Sequence, residues 1–430
     1  MRFLSQSQIE SLIVGAFSLR LLSIIAFGYP AMKATSIERT AALAFVFIFI
    51  LVLIKKFLHR EPFRFHWLAV FLGYLLLSTL LHHGLKNALT VRGTDYPFHF
   101  FCLFLVMTEI KSEKTFLLIL KLFVLVGAYE ALLGISQVFT GYPVYHHLIH
   151  AGEEGFSSER NYFAYFIPGL SKNTVLASGT FHHFNEFGLF LVMNIGIAYG
   201  LFLHYRTLFW RILVYVIFFG IVCAFSRGSL LSSLLCLSFI YFNVTKNPLP
   251  KLVFAVSLLA LFYIASKTVL ANYLEETQNA DVRYDTWVFA YNHCIRHPIN
   301  LVFGYGLHYL KDSVLIQASM IYSLQEDLIM SNVHSSHIQI FLEQGIVGSL
   351  IFYTALSISL FYLARSRTIW GICLVGLSIG YLLGEIFEHF LIGRNGFWYF
   401  SLFGLISSNT SKRLVKTLSD YSKSLHSQKA

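Results

Sequence analysis

Apolar runs recur along nearly the whole chain, and this recurrence limits the fold more than any other feature. The run from Ala41 to Ile54 contains no polar side chain. Many such runs are long enough to cross a bilayer, which takes about 20 residues. Hydrocarbon offers no water to backbone N–H and C=O groups, so a crossing segment must pair them internally or close into a barrel. Barrel strands alternate apolar and polar residues, and unbroken runs of this kind do not. The number of runs also excludes a leader peptide followed by a soluble domain.

Only 13% of residues are charged and 56% are hydrophobic, against roughly 25% charged in an ordinary soluble domain. The expected fold is an all-α polytopic membrane protein with about twelve transmembrane helices, each boundary good to a few residues. The spans are read at roughly 9–27, 37–54, 66–83, 95–109, 115–139, 183–204, 209–225, 229–243, 249–266, 336–363, 369–389 and 396–409. The fourth, eighth and twelfth are short. No internal repeat points to an inverted-repeat transporter.

Orientation follows from the Lys and Arg residues of the short loops. Lys55, Lys56, Arg60 and Arg64, then Lys111 and Lys114, Arg206 and Arg211, Lys246 and Lys251, and Arg365 and Arg367 fall on one side. The C-terminal tail, 410–430, adds Lys412, Arg413 and Lys416 to that side. The alternate loops hold fewer, so both termini are expected to be cytoplasmic. The net charge of +10 reflects this asymmetry, and no basic patch has nucleic-acid spacing.

Residues 1–266 then carry spans one to nine with an external loop near 140–182. Residues 267–335 form a large external loop, read as a partly helical cap, and 336–409 carry the last three spans. Loops this long are usually functional. Of five cysteines, Cys294 alone lies outside the spans, so no disulfide framework is available.

The chemistry-bearing residues gather on the external side. Arg227 sits in Ser226-Arg227-Gly228-Ser229, where hydroxyls and amides of a tight turn can face an anion together with the guanidinium. The plainer reading is an arginine reaching for lipid headgroups. Arg283, in Asp281-Val282-Arg283-Tyr284-Asp285, is either a second anion ligand or a partner of Asp281 or Asp285. His334 and His337 stand three apart at a helix start and share a face; histidine moves protons near neutral pH. One base beside two permanent cations points to chemistry on a phosphate-bearing lipid. Glu343 lies about 13 Å beyond His334 along a helix and is expected to make a buried helix–helix hydrogen bond.

Other polar residues have weaker patterns. His146, His147 and His150 include a one-turn spacing that suits a metal, but no third ligand accompanies it, and no metal or cofactor is expected. His182 and His183 precede Asn185 and Glu186 at the mouth of span six. Arg20, Glu130, Glu385, Glu388 and His389 fall in or near apolar spans; mutual pairing that fixes helix packing is the expectation for Glu130 and Arg20.

Four blocks resemble the O-antigen ligase and polysaccharide polymerase superfamily of bacterial envelopes. They are Gly179-Thr180-Phe181 with Asn185; Ser226-Arg227-Gly228; Arg283-Tyr284 through Trp287, His297-Pro298 and Gly304-Tyr305-Gly306; and His334-Ser335 through Glu343-Gln344-Gly345 to Gly348. Together they cover about 180 to 350. The family usually has an aromatic where His337 stands, so His334 is the catalytic match. The resemblance implies a GT-C-like fold in the bacterial inner membrane with its site on the periplasmic face. It implies transfer of a glycan from an undecaprenyl-diphosphate carrier to a lipid A–core sugar. His334 would be the base and Arg227 and Arg283 the diphosphate ligands, with His337, Asn185, Ser226 and Tyr284 lining the site. A repeat-unit polymerase using the same donor is the alternative, and a transporter of the lipid-linked glycan the more distant one.

Overall fold

The computed structural model describes residues 4–34, 36–61, 66–89, 97–140, 157–158, 174–175, 177–181, 183–245, 251, 287–288, 291–292, 294–306, 335–386, 391 and 394–410. Helices dominate them. The first five are α1 (Gln6–Ala34), α2 (Ser36–His59), α3 (Trp67–Leu89), α4 (Pro97–Thr108) and α5 (Glu113–Thr140). Next come α6 (Phe184–Tyr205), α7 (Leu208–Cys223) and α8 (Arg227–Val244), then the short α9 (Pro298–Phe303). The last are α10 (Ser336–Ser366), α11 (Ile369–Gly384) and α12 (Arg394–Thr410). Among the described residues four helices, α5, α6, α8 and α10, are long and apolar enough to cross a membrane, which fits an α-helical membrane protein. The span expected at 249–266 lies outside the described residues except for Lys251.

One feature departs from the all-α expectation. Ser157–Ser158 (β1) pairs antiparallel with Thr174–Val175 (β2). These two rungs of ladder satisfy backbone groups on both segments.

The centre of the bundle is α6, almost wholly buried along its length. A large aromatic from α12 organises the packing around it. Trp398 meets Phe17 of α1 at 5.7 Å, Phe123 of α5 at 5.8 Å and Phe190 of α6 at 6.1 Å between ring centroids. Tilted and edge-to-face aromatic contacts of this kind add about 0.5–1.5 kcal/mol each beyond their buried area.

Helices α8 and α11 approach by a different device. Gly376, Gly380 and Gly384 recur every four residues and form one stripe down α11. A Cβ on Gly380 would stand 2.3 Å from the carbonyl oxygen of Ser232, and one on Gly376 3.0 Å from that of Cys236. The facing stripe of α8 is small as well, with Ser229, Ser232, Ser233 and Cys236 buried. In a bilayer apolar burial gives no drive for helix association, so close contact between small residues supplies it.

The segment read as one span at 336–363 is a broken helix. Gly345 has φ 66° and ψ −170° inside α10. His337 and Tyr353 are 16 residues apart, about 24 Å along a straight helix. Their ring centroids are 5.8 Å apart, so the two arms fold toward each other about Gly345.

Candidate active site

Several helix ends meet at one end of the bundle, and buried polar side chains hold each in place. Helix α6 begins there because α5 grips the turn before it. Glu130 Oε2 accepts the Thr180 N–H and Glu130 Oε1 the Thr180 hydroxyl, both at 2.9 Å. Gln137 Oε1 accepts the N–H groups of Ser178 at 3.0 Å and Gly179 at 2.9 Å, and its amide donates to the Gly179 carbonyl at 2.8 Å. Gly179 is required twice over: its φ is +55°, and a Cβ would stand 2.4 Å from Glu130 Oε2. Arginine pairing was expected for Glu130; its carboxylate holds a backbone turn instead. Arg20 stacks on the Phe397 ring, 4.9 Å from its centroid. His183 caps α6 by accepting the Asn185 N–H at 3.2 Å, and Asn185 is buried in the first turn.

The Ser226-Arg227-Gly228-Ser229 turn stands directly against α6. Ser226 is the N-cap of α8; its Oγ accepts the Ser229 N–H at 3.3 Å and the Ser229 hydroxyl at 3.0 Å. A Cβ on Gly188 would stand 2.3 Å from Ser229 Oγ, so the starts of α6 and α8 touch. Phe225, just before the cap, has φ +51°, a strained setting for an aromatic residue. Arg227 is the first residue of α8 and is exposed. A cation there opposes the helix dipole, so this arrangement serves an anion better than it serves the helix.

The start of α10 is tied to the end of α11. Ser335 is the N-cap, accepting the Ile338 N–H at 3.5 Å. The Ser336 N–H donates to the Glu385 carbonyl at 3.0 Å, and the Ser336 hydroxyl donates to Glu385 Oε2. That oxygen also accepts the Leu391 N–H at 3.0 Å. Asn395 of α12 closes the circle by donating to the Glu186 carbonyl of α6 at 3.0 Å.

His337 has both ring nitrogens engaged. A carbonyl only accepts, so Nε2–H donates to Leu382 O at 2.8 Å, and the neutral Nδ1 accepts the Tyr353 hydroxyl at 2.5 Å. This side chain locks folded α10 onto α11.

The break in α10 joins two sequence blocks that lie far apart in the chain. Losing helical geometry at Gly345 frees carbonyls of the preceding turn. The N–H of Tyr305 donates to Leu342 O at 3.1 Å and that of Gly306 to Glu343 O at 2.9 Å. Gly304 (φ +80°) and Gly345 lie back to back. A Cβ on Gly304 would stand 2.2 Å from Glu343 O, and one on Gly345 2.4 Å from Val302 O. The buried Glu343 side chain accepts from Gln339 Nε2 at 3.0 Å, one turn back on the same helix. Its main chain, not this side-chain bond, makes the contact between segments.

Of the catalytic, diphosphate-binding and lining residues expected from sequence, Asn185, Ser226, Arg227 and His337 are described, and all lie on these converging ends. Arg283, Tyr284 and His334 fall outside the described residues, as do His146, His147, His150, His182, Glu388 and His389. Among the described residues no group of three or more His, Cys, Asp or Glu side chains is placed to hold a metal. Sequence reasoning missed Gln137, Ser336 and Asn395 altogether. Buried polar residues beside helix ends were the available signal, but their partners lie 41, 49 and 209 residues away.

No curated protein matches the chain. The family described as O-antigen ligase matches residues 188–353, an interval that contains the serine-capped turn of Arg227, Arg283, His334 and the Gly304–Gly345 junction. Residues 188–353 are therefore similar to the O-antigen ligase family.

Proposed function

We propose that the protein transfers O-antigen glycan from undecaprenyl diphosphate to a sugar hydroxyl of lipid A–core. The observation that carries the reading is Arg227, exposed on the first residue of a serine-capped helix that packs against the start of α6. A diphosphate there meets a guanidinium and the positive end of a helix start, both of which favour an anion. Arg283 is the second diphosphate ligand. His334, next to the α10 cap, accepts the proton of the acceptor hydroxyl as its oxygen bonds to the anomeric carbon. The bond from that carbon to the phosphate oxygen breaks, its electron pair leaves with the diphosphate, and the configuration inverts. The arginines stabilise the charge gathering on the leaving oxygen. A diphosphate leaves readily, so the step needs no second carboxylate and no metal.

The same reading makes the chain a GT-C-like protein of about twelve spans in the bacterial inner membrane. Its site faces the periplasm and both termini face the cytoplasm. Asn185, Ser226, Tyr284 and His337 surround the reacting groups. The test uses purified protein in detergent with undecaprenyl-diphosphate-linked glycan and core lipopolysaccharide, without added metal or nucleotide, scored by gel shift. A single capped product, lost in His334→Ala and weakened through donor affinity in Arg227→Ala, upholds the ligase. Longer chains on the carrier, with none on the core, mean a polymerase. Normal transfer by well-folded His334→Ala removes the base assignment.

A further inference from the structure

We propose that Glu385 is a positioning residue for the base, setting where His334 enters the site by clamping the first residue of α10. The inference rests on the transferase reading above. Glu385 is fully buried where α11 ends. Its main-chain oxygen takes the Ser336 N–H at 3.0 Å, while its Oε2 takes both the Ser336 hydroxyl and the Leu391 N–H, the latter at 3.0 Å. The Leu391 N–H also points at Ser336 Oγ, at 3.1 Å. One carboxylate thus joins the end of α11, the start of α10 and the approach to α12.

Two peptide links separate His334 from Ser336, so their Cα atoms are at most about 7.6 Å apart. Fixing both the backbone and the side chain of Ser336 therefore fixes the point from which the chain reaches His334. Packing alone does not account for the carboxylate. The glycine stripe already draws α11 onto α8, and Gly384, next to Glu385, meets Ser232 and Leu189 closely. An apolar pair would join the helix ends without the cost of desolvating a carboxylate. What the carboxylate adds is direction: it accepts only along set lines, and it sits at a helix start, where negative charge is favoured.

The experiment measures kcat and the KM for the lipid-linked donor in the purified full chain, for Glu385→Ala, Glu385→Gln, Ser336→Ala and the double alanine variant. Displacing a reacting group by about 1 Å costs on the order of 100-fold in rate. Glu385→Ala is expected to lower kcat by about that factor with donor KM nearly unchanged. Glu385→Gln keeps an oxygen that accepts from Ser336 and Leu391, and is expected to recover most of the rate. The double variant is expected to be no slower than Glu385→Ala, because the two residues act through one contact. A raised KM with normal kcat, equal loss in the Gln and Ala variants, or multiplying losses in the double variant overturns the proposal. If Glu385→Ala does not fold, Ser336→Ala decides: a loss confined to kcat upholds the clamp, and a normal kcat overturns it. His334→Ala runs alongside. Its inactivity beside normal Glu385 variants overturns this inference alone, whereas its activity overturns the reading beneath it.

Discussion

Two sets of glycines do opposite work in this protein. Those of α11 (Gly376, Gly380 and Gly384) keep ordinary helical backbone and matter for what they lack, since the carbonyls and side chains of α8 occupy the space of a Cβ. Gly304 and Gly345 matter for the backbone path, with φ of +80° and +66° that side-chain-bearing residues rarely adopt. The first set brings two helices together through small residues on both facing stripes. The second stops a helix and turns the freed carbonyls toward Tyr305 and Gly306. Stability of the bundle and geometry of the mouth are thus governed by different residues of the same type.

Replacing Gly345 with alanine tests the distinction most severely. Backbone strain contributes about 1–3 kcal/mol, and the contact with Val302 O adds about 1–3 kcal/mol of overpacking. The expected result is loss of glycan transfer together with altered proteolysis of the 302–306 segment. Normal activity would mean that the break is not part of the working geometry.

Gly380→Ala has a smaller effect of a different kind. Overpacking against Ser232 O costs about 1–3 kcal/mol, read as a lower thermal unfolding midpoint in detergent. The variant that remains folded is expected to keep its kcat. A kcat loss without a stability loss would erase the separation between the two glycine sets.

Ser226→Ala is the mildest. Loss of an N-cap costs about 1 kcal/mol, and the Ser229 N–H and hydroxyl both lose their acceptor. A modest drop in unfolding midpoint is expected, with a weaker donor KM, because the same turn carries Arg227. An unchanged KM would detach the cap from donor binding.

Parts of the site were legible because they depend on local chemistry. The polar turn around Arg227 reads as a helix start, with the span expected from 229; the cap is Ser226, and α8 begins slightly earlier, at Arg227. The G-x-x-x-G-x-x-x-G spacing of α11 was equally readable, yet it was passed over amid long apolar runs. Other features had no local signal. Glu130 looked like a charge awaiting an arginine, and its partner is a backbone turn 50 residues on. His337 gave no sign in the local sequence that Leu382 and Tyr353 hold its ring.

Apolar run length was enough to point to an α-helical membrane chain, because backbone pairing in hydrocarbon is settled within each segment. Motif spacing was enough to point to its family. Only the tertiary structure decided that α10 folds at Gly345, that Tyr305 and Gly306 complete that break, and that Glu385 holds the start of α10. Each of those outcomes depends on a hydrogen-bond partner or a close approach supplied by a distant part of the chain, and residue type alone does not choose among the many partners a buried polar group could take.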